Sequence, residues 1–394
     1  MTPPPRQRRA TQLDIARRAG VSQATVSLVL SGGAAGAQIA EPTRQAVLEA
    51  AAELGYSANV AAKSLRGGRT HLLGLYTFEP VFPTDQRDFY YPFLLGVEEE
   101  TSRQGYDLLL FTSIGSGARE IYTGGVNRLK LADGCVLLGR NVRREELAEL
   151  VREDFPIVFI GRRELDGAEL SYVAADYVTA TSDMVAELAR LGHRRILYLR
   201  AVEDTEPTRD RETGYRQGLA AAGIPVDESL IRALADPADL TAEYVEHWTG
   251  TAGVTAILVE PSEDNRLTTA LAATSADGRV SFPADCSIAL LGDPPSWTPE
   301  LRDWTRFSLP RVEMARTAVQ LLIGLLDPPH GTPQQVTVPC SLVPGDSIGP
   351  APGQAAAPGQ AAAPGQAPSP DQAPSPDRTP SPDRTPSPDR TGSR

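Results

Sequence analysis

Thr11 to Leu65 read TQLDIARRAGVSQATVSLVLSGGAAGAQIAEPTRQAVLEAAAELGYSANVAAKSL, and the spacing of apolar, capping and glycine residues in this stretch decides the architecture. Thr11 followed three residues later by Asp14 is a capping-box start, and Leu13, Ile15, Ala16 and Ala19 supply the apolar face of a first helix that ends at Gly20. After a tight turn through Gly20 and Val21, Ser22 caps a second helix over 23–30. Its Val26, Val29 and Leu30 face inward, while Gln23, Ala24, Thr25, Ser27 and Leu28 lie at or near the outer face. Two short helices joined around a Gly are the signature of a helix-turn-helix, which presents its second helix to the major groove of DNA; the alternative reading is a generic small helical bundle. A third helix over 42–54, with Val47, Leu48, Ala51 and Leu54 at helical spacing, closes a three-helix core. The Gly- and Ala-rich loop 31–40 before it reads as mobile. Ala40 stands where a capping Ser or Thr would help, an omission that costs ~1 kcal/mol.

Charge separates this segment from the rest. Residues 1–69 hold nine Lys or Arg and four Asp or Glu, a balance of +5, whereas the 394-residue chain carries −12, which leaves −17 beyond residue 69. A basic head on an acidic body meets a polyanion head first. Arg6, Arg8 and Arg9 make residues 1–10 a flexible basic arm. Cys135, Cys286 and Cys340 are too few and too scattered for a disulfide framework or a zinc site, and read as buried thiols of a reducing compartment. The sequence contains neither a membrane-length apolar run nor a signal-peptide core, so a cytoplasmic location is expected.

From Leu72 short apolar strands alternate with amphipathic helices. Strands are expected over 72–76, 108–111, 134–138 and 157–160, with helices over 92–104 and 145–151. A second set begins with a strand over 173–175 and a helix running to Leu191. It continues with strands over 196–199, 256–259 and 287–291 and a helix over 214–222. Such alternation makes parallel sheets covered by helices, here as two α/β lobes with a ligand cleft between them.

The spaced run Leu13-Asp14-Ile15-Ala16, Gly20 to Ser27, Thr43-Arg44, Leu54-Gly55-Tyr56, Asn59 and Ala61 to Leu65 resembles the LacI/GalR (lactose-repressor) family of bacterial transcriptional regulators. The body adds Gly74-Leu75, Tyr91-Pro92-Phe93, Gly96-Val97-Glu98, Asp133-Gly134, Asp176, Leu191 to Ile196, Arg211, Gly214-Tyr215 and Glu313 to Arg316. The resemblance therefore spans about residues 10–347. It implies an all-α helix-turn-helix head on a two-lobed, periplasmic-binding-protein-like α/β core. The parts would be the head at 11–57, a hinge helix and linker at 58–69, the core at 70–347 and a low-complexity tail at 348–394. Lobe 1 would take about 70–162 and 294–326, lobe 2 about 163–293 and 330–347, with three crossings between them.

By the same resemblance Gln23, Ala24 and Leu28 read bases, Gln23 pairing with adenine and the two apolar residues touching groups such as a thymine methyl. Leu28 stands where the family often has Arg or another polar group, and is alternatively a partly exposed packing residue. Thr11, Ser22, Thr25, Ser27, Asn59, Lys63 and Arg66 would hold phosphates. Leu65 would wedge into the minor groove as one of a pair, unless 59–65 is a plain linker. In the cleft the implied effector residues are Arg211, Phe89 and Tyr90, Asp176, and Asp293 as a shifted carboxylate. The aromatic pair could equally serve lobe packing and Asp176 could cap a helix. Glu260-Pro261-Ser262 and Leu291-Gly292-Asp293 depart from the family pattern, which leaves effector identity unread.

The implied function is a homodimeric, ligand-controlled repressor of carbohydrate-use genes acting on a pseudo-palindromic operator, with a small-molecule effector, a sugar, and no cofactor or metal. A competing reading is a solute sensor that has lost DNA binding. An enzyme fares worst: the chain lacks a Gly-Lys-Ser/Thr phosphate loop and a His-Glu-x-x-His motif, Gly115-Ser116-Gly117 is not a nucleophile elbow, and His71, His193, His247 and His330 do not cluster. After 348 the six-residue steps Ala-Pro-Gly-Gln-Ala-Ala and Thr-Pro-Ser-Pro-Asp-Arg cannot bury a core. Disorder is expected there, with Ser381 and Ser387 as possible phosphorylation positions on an otherwise idle extension.

Overall fold

The computed structural model describes residues 10–31, 38–56, 69–78, 87–111, 120–140, 142–236, 239–261, 266–276, 278, 280–294, 303–327 and 332–353. The arm before residue 10, most of the loop before the third helix, the segment 57–68 and the tail lie outside the described residues.

In the head, α1 (Gln12–Ala19), α2 (Gln23–Ser31) and α3 (Glu41–Glu53) pack around Ile15, Ala16, Val26, Val29, Val47, Ala50 and Ala51. Thr11 caps α1 with the reciprocal Asp14 contact its spacing predicts, and Gly20 ends the helix at φ 68°, a left-handed conformation that suits a residue without Cβ. Ala40 makes no side-chain cap to α3. Three leucines differ from expectation. Leu13 is 45% exposed, because it falls at the edge of the stripe that Ile15, Ala16 and Ala19 define. Leu48 is turned about 100° from Val47 and is likewise half-exposed, and Leu54 sits past the end of α3.

The body follows as β1 (Leu72–Thr77), α4 (Arg87–Arg103), β2 (Asp107–Phe111), a two-strand ribbon of β3 (Tyr122–Thr123) and β4 (Val126–Asn127), β5 (Gly134–Leu138), α5 (Arg144–Arg152), β6 (Ile157–Ile160), β7 (Tyr172–Ala175) and α6 (Tyr177–Arg190). It continues through β8 (Ile196–Ala201), α7 (Glu206–Ala221), β9 (Ile231–Leu234), α8 (Ala242–Glu246) with a π-helical turn at 247–251, β10 (Ala256–Val259), α9 (Arg266–Ala276) and β11 (Ser287–Leu290). Last come β12 (Arg306–Ser308), α10 (Arg311–Gly324), β13 (Gln335–Val338) and β14 (Ser341–Val343).

Two six-stranded sheets result. The first is ordered β13-β7-β6-β5-β1-β2 and is wholly parallel; the second is ordered β14-β12-β11-β10-β8-β9, with only β14 antiparallel. Central strands such as β5, β6, β10 and β11 are buried along their whole length, which is why they read as unbroken apolar runs. The lobe ranges expected from sequence need correcting at the crossings. Strand 172–175, placed with the second set, pairs with β6 and β13 in the first sheet; 335–338, placed in lobe 2, is that β13 and also belongs to the first sheet; and 306–308, placed in lobe 1, joins β11 in the second. The chain passes between sheets at 175–177, 308–311 and 338–341. Short apolar strands carry no label saying which sheet they join, so their pattern alone could not divide them.

Candidate nucleic-acid interface and ligand cleft

The outer face of α2 is set by its buried side. With Val26 and Val29 in the core, Ser22, Gln23, Ala24 and Leu28 are left exposed, and Thr25 and Ser27 half-buried at its flank. Ser22 Oγ accepts from the Thr25 amide at 3.1 Å and lies 2.9 Å from Thr25 Oγ1, so it starts the helix and holds the two hydroxyls together at the positive helix end. Leu28 is 40% exposed. Thr11, on the neighbouring helix start, gives its hydroxyl to Asp14 at 2.6 Å. The expected phosphate and wedge residues Asn59, Lys63, Leu65 and Arg66 lie outside the described residues.

The three crossings meet at one place. Tyr177, Leu309 and Cys340, one on each crossing segment, pack against the cores of both lobes. Asp293 ties the 308–311 crossing: it accepts from Ser308 Oγ at 2.9 Å and the Leu309 amide at 3.0 Å, and pairs with Arg306 at 3.2 Å and Arg311 at 3.6 Å. These bonds occupy both oxygens, so the carboxylate expected to meet an effector holds the hinge. Asp176 caps α6 through the Thr179 amide at 3.0 Å, the second of its two sequence readings. Tyr90 is buried in the lobe 1 core. Of the aromatic pair only Phe89 keeps an open face, with the Arg311 guanidinium 5.7 Å from its ring centroid.

Arg211 comes from α7 into this junction. Its guanidinium stacks 4.1 Å over the Tyr177 ring, and its Nε donates to the Leu291 carbonyl at 2.9 Å. Only 7% of the residue is exposed. Burial works against its charge, but Tyr177, Glu260 and Tyr198 nearby outweigh that and hold its pKa above the usual value. Glu260 is buried as well and is bound by neutral donors, the Tyr198 hydroxyl on one oxygen and Thr208 Oγ1 at 3.1 Å on the other. Burial pushes the Cys340 thiol up to about 12, Arg211 opposing and Asp176 and Asp293 reinforcing the shift.

A second cluster, not anticipated from sequence, joins the lobes. Arg144 on α5 meets Glu206 at 2.7 Å, Arg163 reaches the other Glu206 oxygen at 3.7 Å, and Arg162 forks onto Asp210 at 2.7 and 3.0 Å. Glu206 and Asp210 stand four residues apart on one face of α7. Against its burial, the Glu206 carboxyl is held below the ordinary carboxylate range by its own backbone amide first, then by Arg144 and Arg163. The available signal was the Arg162-Arg163 doublet after a strand and the i, i+4 acidic pair.

Comparison with known proteins agrees with both halves. Residues 11–59 match bacterial regulatory proteins of the lacI family, and residues 185–348 match the periplasmic binding protein-like domain. The HTH-type transcriptional regulator RegA of Clostridium saccharobutylicum is 29% identical over 318 residues, 80% of this chain and 92% of RegA. The regulator CelR of Thermobifida fusca is 34% identical over 228 residues, 57% of this chain and 66% of CelR. Among solved structures, a CelR–cellobiose complex superposes with a TM-score of 0.54 at 25% identity, covering 86% of this chain and all of that one. The lac repressor dimer bound to operator and an anti-inducer superposes at 0.60 and 19% identity, over 87% and 100% of the two chains, a likeness of fold.

Proposed function

The chain belongs to the LacI family of bacterial regulatory proteins, and from that premise we propose a homodimeric repressor of carbohydrate-use genes whose hold on its operator is set by a small sugar-type effector between the lobes. The observation that carries the reading is the pairing of an exposed Gln23-Ala24-Leu28 face with a lobe junction where Tyr177, Leu309 and Cys340 of the three crossings pack against both cores and the buried Arg211 stacks on Tyr177. Gln23, Ala24 and Leu28 read bases; Thr11, Ser22, Thr25, Ser27, Asn59, Lys63 and Arg66 hold phosphates; a pair of Leu65 side chains opens the central minor groove. One head covers too few base pairs for a specific site, so two subunits read a pseudo-palindrome. Effector binding at Arg211 and the Phe89 face shifts the lobes about the hinge and changes operator affinity, by a coupling of ~1 to 3 kcal/mol. The protein acts in the cytoplasm and has no catalytic role. All of its curated relatives named above are transcriptional regulators, and among the described residues no helix is long and apolar enough to cross a membrane.

Selection of genomic fragments bound by the purified chain tests this. Recovery of a shared pseudo-palindrome near sugar-utilisation genes is the expected outcome. Failure to retain any fragment at moderate salt would sink the reading and favour a solute sensor that has lost DNA binding.

A further inference from the structure

We propose that the effector of this chain is a sugar acid whose carboxylate seats on the terminal nitrogens of Arg211; this rests on the reading that the cleft holds the effector. Five arginines around the cleft, Arg144, Arg162, Arg163, Arg306 and Arg311, each have a carboxylate of the protein within 4 Å. Arg211 is the exception. Among the described residues no carboxylate oxygen comes that close to its guanidinium, although it is more deeply buried than most of them. One face of the guanidinium lies on Tyr177 and one edge is tied to the Leu291 carbonyl. The edge that remains, formed by the two terminal nitrogens, is the one that forks onto a planar carboxylate.

Position 292 explains why the protein supplies no such group. A Cβ at Gly292 would stand 3.6 Å from an Arg211 terminal nitrogen, but also 2.9 Å from Pro261 Cγ, and the backbone there, at φ 150°, disfavours any side chain. Position 292 therefore cannot offer the cation a carboxylate of its own. Glu260 balances the charge from a distance, but both its oxygens are already bound, to Tyr198 and Thr208. Glu260, Asp176 and Asp293 all act on this junction, so a monoanion is better tolerated than the dianion of a phosphate. Phe89, linked to the junction through Arg311 and Asp293, offers an apolar face for a sugar ring.

The test is calorimetric titration of the full chain with D-glucuronate and D-gluconate against D-glucose and cellobiose, with glucose 6-phosphate as the phosphate arm. At least one acid is expected to bind tenfold or more tightly than the neutral sugars. Arg211→Gln should erase that preference and Arg211→Lys should retain part of it. If Arg211→Gln does not fold, as judged by its circular dichroism, the wild-type preference and the lysine variant decide. Equal or tighter binding of glucose or cellobiose, tighter binding of glucose 6-phosphate than of both acids, or no saturation by either acid overturns the proposal. A neutral sugar that binds and alters DNA affinity would leave the regulator reading intact, whereas loss of all fragment binding would remove that reading whatever the sugars do.

Discussion

Replacing Gly214 by Ala tests how closely α7 must approach α6. A Cβ built at Gly214 would lie 2.3 Å from the Val178 carbonyl oxygen and 2.9 Å from Thr181 Cβ. Ordinary contact begins near 3.4 Å, so α7 would have to retreat by about 1 Å, and a helix carbonyl cannot rotate out of the way. Overpacking of this kind costs up to about 3 kcal/mol, offset by about 1 kcal/mol from the better helix propensity of Ala. A net loss of about 2 kcal/mol follows, a fall in melting temperature of about 4 to 8 °C for a body of this size. Gly324→Ala at the end of α10 is the internal control. Nothing lies within 4 Å of its Cβ position, so only the propensity gain remains and the variant should melt at or slightly above wild type. Differential scanning calorimetry of both variants reads the contrast directly. Because Arg211 lies one turn before Gly214 on the same helix, effector affinity should fall in Gly214→Ala and not in Gly324→Ala. A Gly214→Ala chain that melts with the control would refute the close-packing account and the link to Arg211.

Gln23→Ala should lower discrimination at one base pair of each half-site by about 1 to 3 kcal/mol, with little loss on non-specific DNA; an unchanged selected consensus would remove Gln23 from base reading. The Arg162–Asp210 pair is bidentate but 22% and 18% exposed, so a double-mutant cycle with Arg162→Ala and Asp210→Ala should return a coupling of about 1 kcal/mol that shrinks at high salt, and zero coupling at low salt would show that the lobes are not joined there. His193 is buried between Thr255 Oγ1 at 3.0 Å and the Gly349 carbonyl at 2.9 Å, and burial holds its pKa below 6.5. The unfolded chain then binds the proton more readily than the folded one. The stability this group contributes is therefore complete above about pH 6.5 and is lost as pH falls from there through the folded pKa. Urea midpoints that rise between pH 7 and pH 5.5 would contradict the sign.

How much of this was legible varied with the kind of information involved. Strands 134–138, 157–160 and 256–259 coincide with their apolar runs, since a strand buried on both faces leaves no other pattern. Helix α7 was visible only from Gly214 onward. Its first two turns, Glu206 to Thr213, are polar because they face the other lobe, and amphipathic periodicity cannot signal a face that buries charge. The Thr11 cap, the Gly20 turn and the outward Gln23, Ala24 and Leu28 were local properties and appear as expected. Arg211 was found through resemblance, but its stacking on Tyr177 depends on a crossing segment far from it in sequence. Asp293 looked free because the residues that bind it lie 13 to 18 positions away, across a sheet crossing.

The placement of α7 bears on how a ligand could be felt by the rest of the molecule. Its first five residues carry Glu206 and Asp210, which hold Arg144, Arg162 and Arg163 of the other lobe; the next residue, Arg211, enters the hinge; and one turn on, Gly214 locks the helix against α6. A rigid helix gripped at these points cannot move Arg211 without moving the interlobe ion pairs. An effector shifts a conformational equilibrium only by its difference in affinity for the two states, so a ligand that draws Arg211 by a fraction of an ångström must alter the geometry of those pairs. Breaking the partly buried Arg162–Asp210 fork alone is worth about 1 kcal/mol. Disturbing Glu206, whose side chain is only 3% exposed, costs more. The two together reach the ~1 to 3 kcal/mol that ligand control of operator affinity requires, which makes Glu206 and Asp210, rather than residues at the ligand itself, the positions where substitution should uncouple binding from response.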